Sequence, residues 1–322
     1  MPLRIVIVGT GFGQRRVEPA YRGTGRAVEL EVVSPHDADA LQAAIARPCD
    51  LVSIHSPPFL HLEHVRLATR HGRNVLCDKP FGINASQARE MLDLAAQAGV
   101  LHFVNFEFRS DPLRLKIKEL LDSGALGEPV HMISTVFIAW GRDLADRWLF
   151  HKGKGGWIGA QGSHTIDMLR WFFGEVEALG GQMRTEVKLR PDRDPTVDRM
   201  HPSTAEDAFT AWLRMDSGVT VTLDSAYAAS VTLPAQTTIF CSNGALQVTN
   251  QTELAVLRPD QPPEQFFFPP DRDDPHQPAL GLWLGKVCDA VAEGRQIEPN
   301  FETGLACVEV LDRLRNVTGG GG

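Results

Sequence analysis

The chain has 322 residues, of which 43% are hydrophobic and 22% are charged, so it is long enough for about two globular domains. Its formal net charge of −8 argues against nucleic-acid binding, which needs a basic surface. No apolar run approaches the roughly 18 residues of a membrane span and no secretory signal precedes the first apolar run, so we expect a cytoplasmic protein without membrane or nucleic-acid partners.

The first hundred residues alternate between short apolar runs and helix-compatible segments. Asp37 is placed to cap a helix over 37–46, and Gly99 is placed to end a helix over 86–98. Such alternation predicts parallel βαβ units with right-handed crossovers. The predicted strands of this region are 3–8, 28–33, 51–54, 74–77 and 100–105.

The pattern changes after about residue 110. A predicted helix over 112–123 is followed by strand-like segments that are separated by turn residues, including the hairpin signals Ser217-Gly218 and Asn243-Gly244. We expect mostly antiparallel sheet here, then a Pro- and Asp-rich surface loop over 258–278 and two C-terminal helices. The predicted strands are 130–138, 208–215, 219–226, 237–241 and 254–257, and the predicted helices are 279–293 and 302–316.

The ends of the chain and its cysteines give little functional signal. The five cysteines are odd in number and widely spaced, without a Cys-x-x-Cys pair. This usage is typical of thiols in a reducing compartment, and it predicts no metal site. The closing glycine run, 319–322, is expected to be a flexible tail.

A glycine-rich turn, Gly9-Thr10-Gly11-Phe12-Gly13, links the first predicted strand to a helix. In that context the turn predicts a dinucleotide site, because Gly9 permits a tight turn and Gly11 lets backbone amides approach a pyrophosphate at the helix N-terminus. The third glycine of the usual fingerprint falls at position 14, where this chain has Gln14. A purely structural glycine turn is the alternative.

The residue that reads the ribose is expected just after the second strand, where the chain has Ser34-Pro35-His36-Asp37. An acid there favours NAD, and a small polar residue tolerates NADP, so the expected cofactor is NAD or NADP. Only residues 34–50 separate the second strand from the third, which is room for one helix. We therefore expect a Rossmann-like parallel sheet that is shortened at this edge.

Further motifs lie after the third and fourth strands and in the second half of the chain. They are Ser56-Pro57-Pro58 with His61, Cys77-Asp78-Lys79-Pro80, Gly155-Gly156-Trp157, and the run from Gly162 through His164 to Asp167. With the glycine turn, they resemble the Gfo/Idh/MocA oxidoreductases along nearly the whole chain. The resemblance implies an α/β protein with a Rossmann-like dinucleotide-binding domain over 1–109. A C-terminal α/β domain with a large, mostly antiparallel open sheet would occupy 110–318, including the C-terminal helices.

The resemblance also implies a homodimer or homotetramer that transfers hydride between NAD(P) and a sugar-like or polyol substrate. A partly desolvated Lys79 at the end of a strand is suited to take a hydroxyl proton, and His164 is its candidate partner. The predicted catalytic residues are thus Lys79 and His164. The predicted substrate-binding residues are Asp167, Asn105, Arg109 and Trp157. The predicted cofactor-binding residues are Gly9, Thr10, Gly11, Phe12, Gly13, Ser34, Ser56, Pro57, His61, Asp78 and Lys79.

One position departs from the family pattern. Many dehydrogenase members have an aspartate four residues before the histidine, where this chain has Ala160. The departure keeps two alternatives open. One is a catalytically silent binding or regulatory protein on the same fold, and the other is a lyase or glycoside hydrolase that uses nicotinamide for transient oxidation.

Overall fold

The structure, a computed structural model, describes residues 1–269, 271 and 274–318. These residues form two compact units: the first contains 1–111 and 271–309, and the second contains 112–270 and the chain from 310 onward. The glycine tail predicted over 319–322 lies outside the described residues. Within the described part, each helix is too short or too polar to cross a membrane.

Both units combine strands and helices. The strands are β1 (Leu3–Val8), β2 (Val28–Val33), β3 (Leu51–Ile54), β4 (Asn74–Cys77), β5 (His102–Val104), β6 (Pro129–Phe137), β7 (Val176–Arg184), β8 (Leu189–Pro191), β9 (Met200–Pro202), β10 (Ala208–Met215), β11 (Thr220–Ala226), β12 (Gln236–Cys241), β13 (Gly244–Thr249), β14 (Glu253–Leu257) and β15 (Glu264–Phe267). The α-helices are α1 (Glu18–Gly23), α2 (Ala38–Ala46), α3 (His61–Arg70), α4 (Ala85–Ala98), α5 (Pro112–Asp122), α6 (Ser163–Phe173), α7 (Ala279–Glu293) and α8 (Phe301–Thr318).

The first unit is built on a parallel sheet with the strand order β2-β1-β3-β4-β5. β3 is buried along its whole length, which explains its unbroken apolar character. β2 is the edge strand directly beside β1, and this confirms the Rossmann-like sheet that is shortened at that edge. Because the strands are parallel, the loops after them meet along one edge of the sheet, where ligands bind in such folds.

The helix ends follow the local chemistry that the sequence predicts. The Asp37 side chain accepts a hydrogen bond from the Ala40 N–H at 3.0 Å and so caps α2. Asn84 caps α4 in the same way, through the Gln87 N–H at 2.9 Å. Gly99 ends α4 in the left-handed region, with φ of 64°. These caps fix where the loops after the strands begin and end.

The first unit also contains α7, which the sequence analysis placed in the C-terminal domain over 110–318. Trp283 of α7 is fully buried in one core cluster with Ile5 of β1 and Tyr21 of α1. Burying a side chain of this size contributes on the order of a few kcal/mol to folding. The predicted boundary places residues 271–309 in the C-terminal domain, whereas the structure places them in the first unit. The apolar face of a helix predicts that the helix packs on a core, but it does not show which of two cores.

The second unit contains a sheet of eight strands in the order β15-β14-β13-β12-β6-β11-β10-β7. Its neighbours are antiparallel except for β6 and β11, which confirms the large, mostly antiparallel sheet. The hairpin predicted at Ser217-Gly218 joins β10 to β11, and Gly218 has φ of 88°. A separate ribbon pairs β8 with β9.

Three strands of this sheet, β7, β13 and β15, were not predicted, and β13 (Gly244–Thr249) follows the predicted hairpin signal Asn243-Gly244. β7 contains Gly180 and Gly181, which weaken a strand signal. A Cβ atom on Gly180 would lie 2.5 Å from the Trp212 indole nitrogen, so the glycine makes room for an indole on the next strand. β15 lies within the segment 258–278 that was predicted as a surface loop, because its Pro- and Asp-rich flanks dominate the composition.

Candidate functional site

The glycine turn after β1 packs against the end of β3. Gly9 has φ of 146°, and a Cβ atom there would lie 2.7 Å from the His55 carbonyl oxygen. The Gly9 N–H donates to the Val33 carbonyl at 2.9 Å. Only glycine satisfies both the backbone angle and the close approach, so Gly9 sets the path of the turn.

The other two glycines of the turn have different roles. A Cβ atom on Gly13 would lie 3.1 Å from Ile7 and 3.3 Å from the His55 Cβ, so Gly13 supplies the close helix–strand packing usually given by the third glycine of the fingerprint. It does so one residue early because the helix opens with a π-helical turn, Gly13–Val17. Gly11 has no heavy atom within 4 Å of its Cβ position. Backbone open to solvent at this point fits a pyrophosphate.

Phe12 occupies the N-cap position of this helix and makes no side-chain cap hydrogen bond. The Phe12 side chain therefore does not cap the backbone amides of the first helical turn. Uncapped amides at a helix N-terminus are suited to bind an anion. The Phe12 ring lies 4.9 Å from the His276 ring in an edge contact. Thr10, at the tip of the turn, is exposed.

The Ser56-Pro57 turn after β3 is supported by two histidines of α3. The Ser56 hydroxyl bonds His64 Nδ1 at 2.9 Å, and His61 Nε2 donates to the Ser56 carbonyl at 2.9 Å. His61 is 0% exposed, so its ring is closed to a ligand. His61 was predicted to bind the cofactor, and the structure places it instead beneath the turn that carries Ser56 and Pro57.

Ser34 follows β2 and is partly exposed. Its hydroxyl accepts from the His36 N–H at 3.3 Å, and its carbonyl accepts from the Asp37 N–H at 3.3 Å. His64 also bonds the backbone of Pro35. The loops after β2 and β3 are therefore tied together. The Asp37 carboxylate is engaged in capping α2, and Ser34 is the first polar side chain after this strand.

Asp78, Lys79 and Asn105 come together at the ends of β4 and β5. The Asp78 Oδ2 atom accepts from His55 Nδ1 at 3.1 Å. Its Oδ1 atom accepts from the Lys79 backbone N–H at 2.8 Å and from Asn105 Nδ2 at 3.3 Å. One carboxylate thus joins three strand ends, and it brings three of the predicted site residues into contact.

The environment keeps Asp78 ionised. Burial acts to raise its pKa, but the hydrogen bond from His55 and the electrostatic interactions with His55 and Lys79 outweigh burial and hold the pKa of Asp78 at about 2. A carboxylate that stays charged through the neutral range is a fixed acceptor. It also places a permanent negative charge beside Lys79, which is half-buried.

Asn105 carries a buried hydrogen-bond acceptor at the end of β5. It is 1% exposed, and its Oδ1 atom has no hydrogen-bond partner within the described part of the chain. A buried acceptor without a donor costs about 1–3 kcal/mol, which a ligand hydroxyl or amide recovers on binding. The substrate-binding role of Asn105 stays a prediction.

Arg109 and Glu107 lie just beyond Asn105. The Arg109 guanidinium is 3.6 Å from the exposed Glu298 carboxylate. Glu107 is buried, and its Oε1 atom accepts from His276 Nδ1 at 2.9 Å. His276 thus contacts both Glu107 and Phe12 of the glycine turn. His276 was not predicted as a site residue, because it lies in the segment 258–278 that was predicted as a surface loop.

In the second unit, His164 and Asp167 lie on α6, three residues apart. Both are buried, at 7% and 1% exposure, so they share the inward face that their spacing predicts. The helix is preceded by a π-helical turn, Ile158–Gly162, which contains Ala160. Such turns are frequent at functional sites because they shift the register of the side chains that follow.

The glycines before α6 are required by packing. Gly156 has φ of 90°, and a Cβ atom there would lie 2.1 Å from the Glu206 carboxylate. Glu206 accepts from the Ile158 N–H at 3.1 Å, and burial raises its pKa. Trp157 is 7% exposed, donates from Nε1 to the Ser225 hydroxyl at 2.8 Å, and stacks on Tyr227 at 4.4 Å. Trp157 was predicted to bind substrate, and the structure gives its indole a packing role.

A buried arginine anchors the loop between β6 and α6. Arg190 donates to the Gly141 carbonyl at 2.8 Å and to the Leu144 carbonyl at 3.2 Å. Its guanidinium lies 3.4 Å from the centre of the Phe150 ring and 3.5 Å from Asp207. Arg190 was not predicted to have this role, because a single arginine between turn residues is usually exposed.

His61 makes the stability of the protein depend on pH. Burial lowers its pKa to about 4 from the 6.5 of an exposed histidine. Because the pKa of His61 is lower in the folded than in the unfolded protein, the neutral ring contributes to the free energy of unfolding. This contribution is complete above pH 6.5, and about 3 kcal/mol of it is lost as the pH falls toward 4. His61→Gln keeps an N–H donor for the Ser56 carbonyl but does not titrate. In this variant we expect the His61 part of the loss in unfolding free energy to disappear.

Urea denaturation above pH 6.5 and near pH 4 measures the loss. His71→Gln, at a partly exposed position of the same unit, is the matched control and should keep the wild-type pH dependence. An equal loss in wild type and His61→Gln would contradict the assignment.

The two halves of the chain match models of two domains from the same family. Residues 3–106 match the oxidoreductase family with an NAD-binding Rossmann fold, and residues 115–247 match the GFO/IDH/MocA C-terminal domain. An uncharacterized oxidoreductase of Synechocystis sp. is 33% identical over 237 residues, which are 67% of this chain but 63% of the relative. Levoglucosan dehydrogenase of Pseudarthrobacter phenanthrenivorans is 24% identical over 302 residues, which are 82% of this chain and 76% of that protein.

Solved structures share the fold along the whole chain. A levoglucosan dehydrogenase in complex with NADH and L-sorbose has a TM-score of 0.85 at 20% identity, covering 99% of this chain and 97% of that one. The domain matches, the shortened parallel sheet and the mostly antiparallel second sheet agree with one another. The chain therefore belongs to the GFO/IDH/MocA family of oxidoreductases, and its N-terminal domain is the NAD-binding Rossmann fold of that family.

Proposed function

We propose that the protein is an NAD(P)-dependent dehydrogenase or reductase that acts on a CH–OH group of a sugar-like or polyol substrate. The observation that carries the proposal is the meeting of the glycine turn with Asp78, Lys79 and Asn105 at one edge of the parallel sheet. The sugar class is supported by the relative named levoglucosan dehydrogenase.

The proposed cofactor site uses backbone more than side chains. The turn from Gly9 to Gly13 would hold the pyrophosphate, with Ser34 at the adenosine ribose and the Ser56-Pro57 turn beside it. A bound nicotinamide supplies the carbon that accepts or returns hydride. His61 supports the Ser56 turn from below.

Lys79 is the proposed acid/base residue. In the oxidation direction its neutral amine takes the substrate hydroxyl proton, and in the reduction direction its ammonium returns it. The Asn105 Oδ1 atom accepts a hydrogen bond from a substrate hydroxyl, which satisfies its buried lone pairs. His164 as a second acid/base group, and Asp167 and Arg109 as substrate contacts, remain predictions.

The first test concerns the cofactor. In Gly11→Ala, the methyl group has no neighbour within 4 Å, so we expect the fold to be kept. The methyl occupies the surface that the pyrophosphate approaches, and affinity for NADH or NADPH should fall about tenfold or more. Fluorescence titration with both cofactors measures it. Gly23→Ala, also without neighbours within 4 Å, is the matched control and should bind as wild type does.

The second test concerns the chemistry. Lys79→Met removes the proton acceptor, and turnover on a panel of sugars and polyols should fall about a hundredfold, because general-base catalysis contributes that much or more. The dissociation constant for NADH should stay near the wild-type value. Lys118→Met, at an ion pair with Asp122 on α5, is the control. Turnover reduced less than about tenfold in Lys79→Met would remove Lys79 from the mechanism.

The same measurements separate the alternatives that Ala160 raises. Binding of cofactor without turnover on any substrate of the panel would favour a silent binding protein. Cofactor that survives purification and is not consumed during turnover would favour a lyase or glycoside hydrolase with transient oxidation. Failure of wild type to bind either nicotinamide would reject all of the catalytic readings.

We further propose a homo-oligomer that forms through the open face of the second sheet. Trp212, Thr222, Ile133 and Thr238 lie in register across β10, β11, β6 and β12, and Phe240 is two residues along on the same face. Trp212 is 53% exposed and Ile133 is 40% exposed. Contiguous exposed apolar side chains of this kind are typical of protein interfaces, and a second copy supplies a self-complementary partner.

Trp212→Arg places a charge on this face and should convert the oligomer into monomer, as measured by analytical ultracentrifugation. Leu282→Arg, at an exposed position of α7, is the control and should leave the assembly unchanged. A monomeric wild type would contradict the proposal. A cytoplasmic location and the absence of membrane and nucleic-acid partners also stay predictions, and the odd number and wide spacing of the five cysteines support the first of them.

A further inference from the structure

A chain of four buried polar side chains leads to the strand end that carries Lys79. The Tyr21 hydroxyl is 3.0 Å from the Ser53 hydroxyl, which is 2.8 Å from His55 Nε2. His55 Nδ1 is 3.1 Å from Asp78 Oδ2. All four side chains are buried, Tyr21 and Ser53 completely. We call this set the Tyr21–Asp78 relay.

The relay has one consistent direction of hydrogen bonding. The ionised Asp78 only accepts, so His55 Nδ1 donates to it. In neutral imidazole the other nitrogen, Nε2, then accepts, and its donor is the Ser53 hydroxyl. The Ser53 oxygen in turn accepts from the Tyr21 hydroxyl. Each donor has an acceptor, so the imidazole is held in a single tautomer and orientation.

The relay has no outlet for protons. Tyr21 is fully buried in the core that includes Ile5 and Trp283, so the chain ends inside the protein. A path that ends in an apolar core does not exchange protons with water during turnover. The relay is therefore suited to fixing a position rather than to proton transfer.

The position that it fixes is the shared end of three strands. The His55 N–H donates to Val8, the Asp78 N–H to Ile54 and the Asn105 N–H to Cys77, so the ladder continues one residue past each strand. His55 also lies beneath the glycine turn, since its carbonyl and Cβ atoms limit Gly9 and Gly13. His55 thus contacts the turn through its carbonyl and Cβ atoms, and its ring contacts the carboxylate that holds the Lys79 backbone.

We propose that His55 is a positioning residue that holds the Asp78 carboxylate, and through it Lys79 and Asn105, in register with the glycine turn. The inference rests on the proposed function of Lys79 as the acid/base group. Ser53 and Tyr21 fix the His55 ring and act one step further away. The charged or titratable groups that face Asp78 are His55, Lys79, His61 and Cys77.

Two substitutions of one residue separate positioning from packing. His55→Asn keeps a side-chain N–H near the place of Nδ1, whereas His55→Leu removes it, and both keep the Cβ atom that packs under the turn. We expect kcat to fall about tenfold in His55→Leu and less than about threefold in His55→Asn, because a misplaced catalytic group loses rate without losing binding. The dissociation constant for NADH should stay within about threefold in both variants.

The titration of Lys79 gives a second measurement that needs no turnover. NMR of labelled lysine side chains follows its ammonium, and the signal is assigned by its absence in Lys79→Met. Asp78→Asn removes the negative charge, so the midpoint should move to lower pH. His55→Leu removes a donor that screens that charge, so the midpoint should move to higher pH. His55→Asn should match wild type.

The outcomes are distinct. Equal kcat values and equal midpoints in His55→Leu and His55→Asn would overturn the proposal. If wild type turns over no substrate, the proposed function fails, and the NMR titration still decides whether the relay acts on Lys79. If His55→Leu does not fold, Ser53→Ala replaces it: the loss of the donor to Nε2 should lower kcat about threefold, and an unchanged kcat and midpoint would overturn the proposal. His71→Leu is the matched control and should be unaffected.

Discussion

The close approach of Gly9 to the His55 carbonyl is the constraint on which the rest of the first unit depends. A Cβ atom on Gly9 would lie only 2.7 Å from the His55 carbonyl oxygen, so no side chain fits at this position. The same contact holds the glycine turn against the end of β3. That contact places His55 where its ring reaches Asp78, and Asp78 in turn bonds the Lys79 backbone and Asn105. A binding turn, a candidate base and a buried amide therefore share one support. The support consists mostly of backbone and neutral groups, and Asp78 is its one fixed charge.

Much of this arrangement could be predicted from the sequence, since its strongest signals are local. The buried strands give unbroken apolar runs, Asp37 and Gly99 give a cap and a stop, and the parallel order brings strand ends to one edge. The grouping of Asp78, Lys79 and Asn105 follows from that order. The role of Gly13 did not follow, because a π-helical turn displaces the packing glycine by one residue and no pattern of apolar residues reports such a turn.

What the sequence did not reveal depends on contacts between distant segments. His61 looked like a cofactor ligand because it follows Pro57-Pro58, yet its ring points beneath the turn and is closed to solvent. Trp157 was predicted to bind substrate, yet its indole packs against Ser225 and Tyr227, some seventy residues later in the chain. His276 was assigned to a surface loop, and it contacts Glu107 and Phe12. In each case the residue type was informative, and the partner that decides its role was not visible along the chain.

The placement of α7 has a consequence for the order in which the protein is made. Residues 1–111 leave the ribosome long before 271–309, but the core around Ile5 and Tyr21 is completed by Trp283 and its neighbours. The nascent first unit therefore carries an uncovered apolar surface while the whole of 112–270 is translated. Domains that emerge first usually fold first, whereas this one finishes near the end of synthesis. We expect a chain that ends before residue 279 to leave this apolar surface uncovered and to aggregate, and we expect the full-length chain to need chaperone protection during that interval.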